Sequence, residues 1–190
     1  MSRVPQSIYS GKVLITNPDR FFAELSGRES NLLTPFVIVI VSAVIPVIAK
    51  MICYSSIAVP VGVIVELIAP FIGWLLCAGA FYAFSIFFRG VGSFKRVLEF
   101  TGYGFIPKIP SAILNAILLS LLASLPQSIV YAITIISSLL LFWSVGIWVF
   151  AVKHARNIPA QDAFFTVAGS MVAGWLLLWG LAWILLGIMH

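Results

Sequence analysis

Charge is scarce in this chain. Lys, Arg, Asp and Glu together make up 9% of its 190 residues, while hydrophobic residues make up 62%, against ~45–50% apolar residues in ordinary soluble domains. A water-soluble core of this length cannot hide so much apolar surface. Cysteine is scarcer still: Cys53 and Cys77 are the two present, too few for a disulfide framework and too isolated for a metal site. They are also expected at different depths, Cys53 near one membrane face and Cys77 near the middle. His154 and His190 are the two histidines, and neither has a second ligand at metal-binding spacing. With six acidic residues in all, no Asp or Glu pair is placed to share a pocket, no serine sits in a nucleophile elbow, and no glycines form a phosphate loop. Catalysis, a cofactor and a bound metal are therefore not expected.

What is abundant is uninterrupted apolar sequence. The mean hydropathy is +1.13, and a transmembrane helix needs about 20 mainly apolar residues to cross a core of about 30 Å. Five such runs occur, at about 34–54, 65–88, 107–125, 127–152 and 164–188. The fold class this predicts is an all-α, polytopic integral membrane protein with five transmembrane helices. The first thirty residues mix acidic and basic side chains without an apolar run, so no secretory signal peptide is expected and the first span serves as its own targeting signal.

The net charge of +5 belongs to the connections between spans. The tail before span one carries Arg3, Lys12, Arg20 and Arg28, the connection between spans two and three carries Arg89, Lys95, Arg96 and Lys108, and that between spans four and five carries Lys153 and Arg156, ten of the eleven basic residues. The other side has no Lys or Arg in the stretch 55–64, in the hairpin at 124–127 or at the terminal His190. By the positive-inside rule the N-terminus is cytoplasmic and the C-terminus outside, in a multi-pass cell-membrane protein. With no basic stripe on a soluble element, nucleic acid is not an expected partner.

Two basic segments read as short interfacial helices. Asn17 and Pro18 make a helix start, Phe21, Phe22 and Leu25 share one face over 18–26, and Gly27 ends it. Ser93 caps a second helix at 93–101, with Phe94, Val97 and Leu98 on one face and Lys95 and Arg96 on another. Such segments dock at headgroups and anchor the neighbouring span. The chain divides into a cytoplasmic segment, 1–33, and one membrane domain, 34–190.

Lys50 and Glu66 are the ionisable residues expected inside the membrane, near the outer ends of spans one and two, where an ion pair would offset their desolvation. Pro46 and Pro70 fall within the same spans and predict kinks. Gly169 with Ala173, Ser170 with Gly174 and Gly79 with Ala83 place small residues four apart, which suits close helix packing within the bundle or in a homo-oligomer.

The stretch from Gly90 to Pro107 reads Gly-Val-Gly-Ser-Phe-Lys-Arg-Val-Leu-Glu-Phe-Thr-Gly-Tyr-Gly-Phe-Ile-Pro. Its Gly-x-Gly-Ser-Phe loop, basic amphipathic helix and Gly-Tyr-x-x-x-Pro entry to a span resemble the Yip-one domain family, the Ypt/Rab-GTPase-interacting five-span membrane proteins. The Asn-Pro-x-x-Phe-Phe entry at 17–22, and the turn at 153–156 followed by Asp162-Ala163, are similar to its compact prokaryotic members. The resemblance implies a non-enzymatic scaffold or adaptor in membrane organisation or trafficking. It places the candidate interaction surface at Ser93, Phe94, Lys95, Arg96, Gly102, Tyr103, Gly104 and Pro107, meeting anionic headgroups or an unknown protein partner. Within it, Gly102 and Gly104 are expected to free the backbone for the turn into span three. The alternative is a small transporter or channel with Lys50 and Glu66 at an outer gate.

Overall fold

The computed structural model describes residues 11–53, 60–121 and 124–188. Arg3, His190 and the first half of the connection expected at 55–64 lie outside them. The described residues form eight helices: α1 (Gly11–Thr16), α2 (Pro18–Ser26), α3 (Leu33–Cys53), α4 (Pro60–Phe87), α5 (Phe94–Tyr103), α6 (Lys108–Leu121), α7 (Gln127–Arg156) and α8 (Ala160–Ile188). Four of them contain spans long and apolar enough to cross a membrane, in α3, α4, α7 and α8. The fifth expected span is the 14-residue α6, joined to α5 through a 41° bend, and the pair together passes the same test.

Helices α3, α4, α8, α7 and α6 pack in a ring, each against the next and α6 against α3. Their lengths are unequal. At 1.5 Å per residue, α4 with 28 residues and α7 with 30 run ~40–45 Å, whereas α6 covers ~21 Å. The shortfall is at the end that carries the basic connections, called the basic end below. Trp148 lies over Lys108, the first residue of α6, yet α7 continues ~12 Å further to Arg156. The space so left is filled by α5, which packs on α3, α4 and α7, and by α2, which packs on α7.

Local signals account for the small helices. Asn17 caps α2 by accepting from the Arg20 N–H at 3.1 Å, with Pro18 in the first turn. Ser93, extended at φ −83° and ψ 151°, caps α5 by accepting from the Arg96 N–H. The apolar face expected at headgroups is turned into protein in α2 and only partly in α5, where Val97 is buried, Leu98 half-buried and Phe94 exposed. Phe21, Phe22 and Leu25 of α2 are buried, as are Val97, Phe100 and Tyr103 of α5. All six belong to one core with Leu14, Phe81 and Trp148. The short connections put both helices over the gap above α3 and α6, where protein rather than lipid covers them.

The small-residue pairs divide. Gly169 faces the Phe84 ring of α4, where an added Cβ would come within 3.2 Å, while Gly79 and Gly174 face open space. Pro46 and Pro70 lie inside continuous helices α3 and α4.

Candidate functional site

The basic end is built around one arginine. Arg156, at the last turn of α7, is 3% exposed. Its Nε donates to Ser85 Oγ at 2.8 Å, its two terminal nitrogens donate to the carbonyls of Gly92 and Gly90, and its guanidinium lies 4.4 Å from the Tyr82 ring centre. The Val91 N–H donates back to the Arg156 carbonyl at 2.7 Å. No carboxylate is among these partners. The charge is satisfied by carbonyl dipoles around the C-terminal end of α4, where the helix dipole favours a cation. Gly92 has φ +150° and lies so close to the Ala155 carbonyl that a side chain would collide with it. The Gly-x-Gly of the loop thus makes room for, and bonds to, the end of α7.

Next along the chain, α5 is hooked from two sides. Trp74 Nε1 on α4 donates to the Leu98 carbonyl at 2.8 Å, and Trp148 Nε1 on α7 donates to the Thr101 carbonyl at 2.9 Å. Pro35 lies where a Cβ on Gly102 would be, and Trp148 where one on Gly104 would be. Gly104 itself has an ordinary helical φ of −67°. Space, and not the backbone freedom expected from the sequence, is what the structure requires of it.

The candidate surface therefore splits. Ser93, Phe94 and Lys95 are exposed; Arg96 is half-buried, pairing with Glu99 at 3.3 Å and donating to the Arg28 carbonyl. Gly102, Tyr103, Gly104 and Pro107 are buried. Exposed neighbours extend the first group: Phe87 is 81% exposed and Val91 75%, and Arg89, exposed at φ +56°, lies between them. These continue the rim in the loop that Arg156 holds.

A second anchor fastens the N-terminal helices. Asp19 Oδ1 of α2 accepts from Lys153 Nζ at 2.6 Å and lies 2.7 Å from His154 Nε2. Hydrogen bonds from Lys153, then His154, hold the Asp19 carboxyl below its ordinary value.

Lys50 and Glu66 form an ion pair through Nζ and Oε1. They stand at the edge of a cavity of about 390 Å³ that Ser42, Pro46, Pro70, Gly73 and Phe105 also line, and that reaches Lys108. The sequence missed three ionisable groups within the bundle, namely Lys108, Glu99 (1% exposed) and Arg156. Lys108 and Arg156 read as charges of polar connections, and Glu99 as part of an interfacial helix, because the insertion of α5 cannot be read from hydropathy. The one available signal was the pair of glycines flanking Tyr103, which mark close approach of other helices.

The family model of the Yip1 domain matches residues 12–184. This chain belongs to the Yip1 family. Its curated relatives include an uncharacterized protein of the archaeon Methanocaldococcus jannaschii, 39% identical over 115 residues, which cover 53% of this chain and 82% of that protein. No solved structure matches. This member of the Yip1 family is accordingly an all-α, multi-pass membrane protein whose apolar helices contact the bilayer.

Proposed function

We propose that this Yip1-family protein is a non-enzymatic membrane scaffold or adaptor that works through the rim at its basic end, which the distribution of lysine and arginine assigns to the cytoplasm. The observation that carries the reading is the rim itself. Exposed Phe87, Val91 and Phe94 alternate with exposed Arg89 and Lys95, from the end of α4 to the start of α5, and Arg156 fixes this segment through side-chain hydrogen bonds to Ser85, Gly90 and Gly92. Apolar and cationic groups on a rigid support suit a protein surface or an anionic headgroup layer. Arg96 stands apart from this rim, since Glu99 and the Arg28 carbonyl occupy its guanidinium.

The test places a photo-cross-linking amino acid at Phe94 and, as a control, at Leu177, which is 75% exposed on α8. A discrete protein adduct from position 94, lost in the double variant Arg89→Glu/Lys95→Glu while its melting temperature is unchanged, is the expected result. Adducts identical from both positions would count against the rim.

The cavity that runs from Lys50 and Glu66 to Lys108 favours a second reading, a small transporter gated at its outer side. Against through-passage, Phe105 and Trp148 close together at 6.1 Å between ring centres, with Gly104 pressed on Trp148. Solute flux into proteoliposomes that Lys50→Met abolishes would favour transport over scaffolding.

A further inference from the structure

We propose that Lys108, with the groove it opens onto along α7, is a binding site for an anionic phospholipid of the leaflet at the basic end. The phosphate would sit on the lysine and an acyl chain along the groove. This goes beyond the rim and does not depend on it.

Lys108 lines two cavities, the one that ends at Lys50 and Glu66 and a second of about 390 Å³ between α6, α7 and α8. Its ammonium lies 4.3 Å from the Phe105 ring centre and 5.0 Å from that of Trp148. Among the described residues no carboxylate forms an ion pair with it, whereas Lys50 already has Glu66. Aromatic faces attract a cation but accept none of its three N–H bonds in the way an oxyanion does. A lysine in a membrane bundle without a counter-ion marks a site where a ligand supplies one.

The second cavity defines what that ligand is. From Trp148 it passes Val145, Leu141 and Phe142 to Ser138, about 15 Å of helix and so about half of a ~30 Å hydrocarbon core. The lining is mainly apolar. Leu141 is 47% and Phe142 73% exposed, so the groove opens sideways onto hydrocarbon. An occupant enters from the bilayer, with its charged end toward Lys108 and its tail toward the membrane centre. A free phosphate has the right charge but nothing to fill the apolar groove.

The test is native mass spectrometry of the full chain, released from micelles containing phosphatidylglycerol or phosphatidylcholine, with thermal unfolding under the same conditions and in inorganic phosphate. Wild type is expected to retain phosphatidylglycerol in preference to phosphatidylcholine and to melt higher with it, while inorganic phosphate gives no shift. Lys108→Gln is expected to bind phosphatidylglycerol about fivefold more weakly, and Lys12→Gln, the same charge change on exposed α1, as wild type. Equal retention by Lys108→Gln, or a phosphate shift that matches the lipid's, would overturn the proposal. Should Lys108→Gln fail to fold, Leu141→Trp fills the groove with the lysine intact. Loss of the lipid supports the site, and unchanged retention sinks it.

Discussion

The two ends of the bundle are made differently. At the basic end, helices α1 to α5, α7 and α8 close on one another through Arg156, the indoles of Trp74 and Trp148, and a core in which Phe22, Phe81 and Phe100 are essentially inaccessible. Toward the other end α3 and α4 line a cavity edged by two prolines and an ion pair, and α7 and α8 turn large side chains such as Phe142, Leu177 and Trp183 outward. Lipid supplies the packing there. Only the basic end has to satisfy buried backbone and charge from its own atoms, and it is where Gly92, Gly102 and Gly104 admit no larger side chain. Mutational sensitivity should follow the same division.

The largest effect should come from Arg156→Met, which leaves the Gly90 and Gly92 carbonyls and Ser85 without their donor. A loss of about 2–4 kcal/mol is expected from the acceptors left unsatisfied, read as the detergent-solubilised protein's unfolding midpoint, and Arg156→Lys should recover only part of it because an ammonium cannot span three acceptors. Gly104→Val, which drives a side chain into the Trp148 indole, should cost about 1–3 kcal/mol and redshift the tryptophan emission as the Thr101 hydrogen bond opens.

Asp19→Asn comes next, at under about 1 kcal/mol, because the pair is partly exposed and solvent screens it. Its pH dependence has a defined sign. The folded carboxyl titrates below the unfolded value of 3.8, so its contribution is present above that pH and disappears as pH falls through the folded value. Melting curves of wild type and Asp19→Asn should therefore differ at neutral pH and converge in strong acid; a gap that persists there would assign the effect to packing.

At the open end, Leu177→Ala should change stability by no more than about 0.5 kcal/mol. If it cost as much as Arg156→Met, the division between the two ends would be wrong.

Much of this division could be read from the residues. Apolar runs located the long helices, and Asn17 with Pro18 and Ser93 marked where α2 and α5 begin, since caps act over a few residues and need no knowledge of neighbours. Hydropathy starts span two at 65, but α4 begins at Pro60, because moderately apolar residues extend a helix that lipid and α3 already support. The role of α5 was not legible. Its composition, basic on one face and aromatic on the other, suits a headgroup layer and a protein groove equally well, and the choice is made by α3 and α6 being too short to fill the basic end. For the same reason Glu99 reads as part of an interfacial helix, Lys108 as a loop charge, and Gly102 and Gly104 as hinges, until Pro35 and Trp148 are placed beside the glycines.

The bond between Arg156 and its loop also orders events during synthesis. The carbonyls of Gly92 and Gly90 precede the guanidinium that holds them by 64 and 66 residues, so they leave the ribosome two hydrophobic segments before their partner. Until α7 is complete the loop between α4 and α5 has no donor to close it, and the tightest part of the finished protein is among the last to form. A nascent chain halted short of residue 156 would present that loop open to chaperones and proteases, and one halted a few residues beyond its release from the ribosome would not.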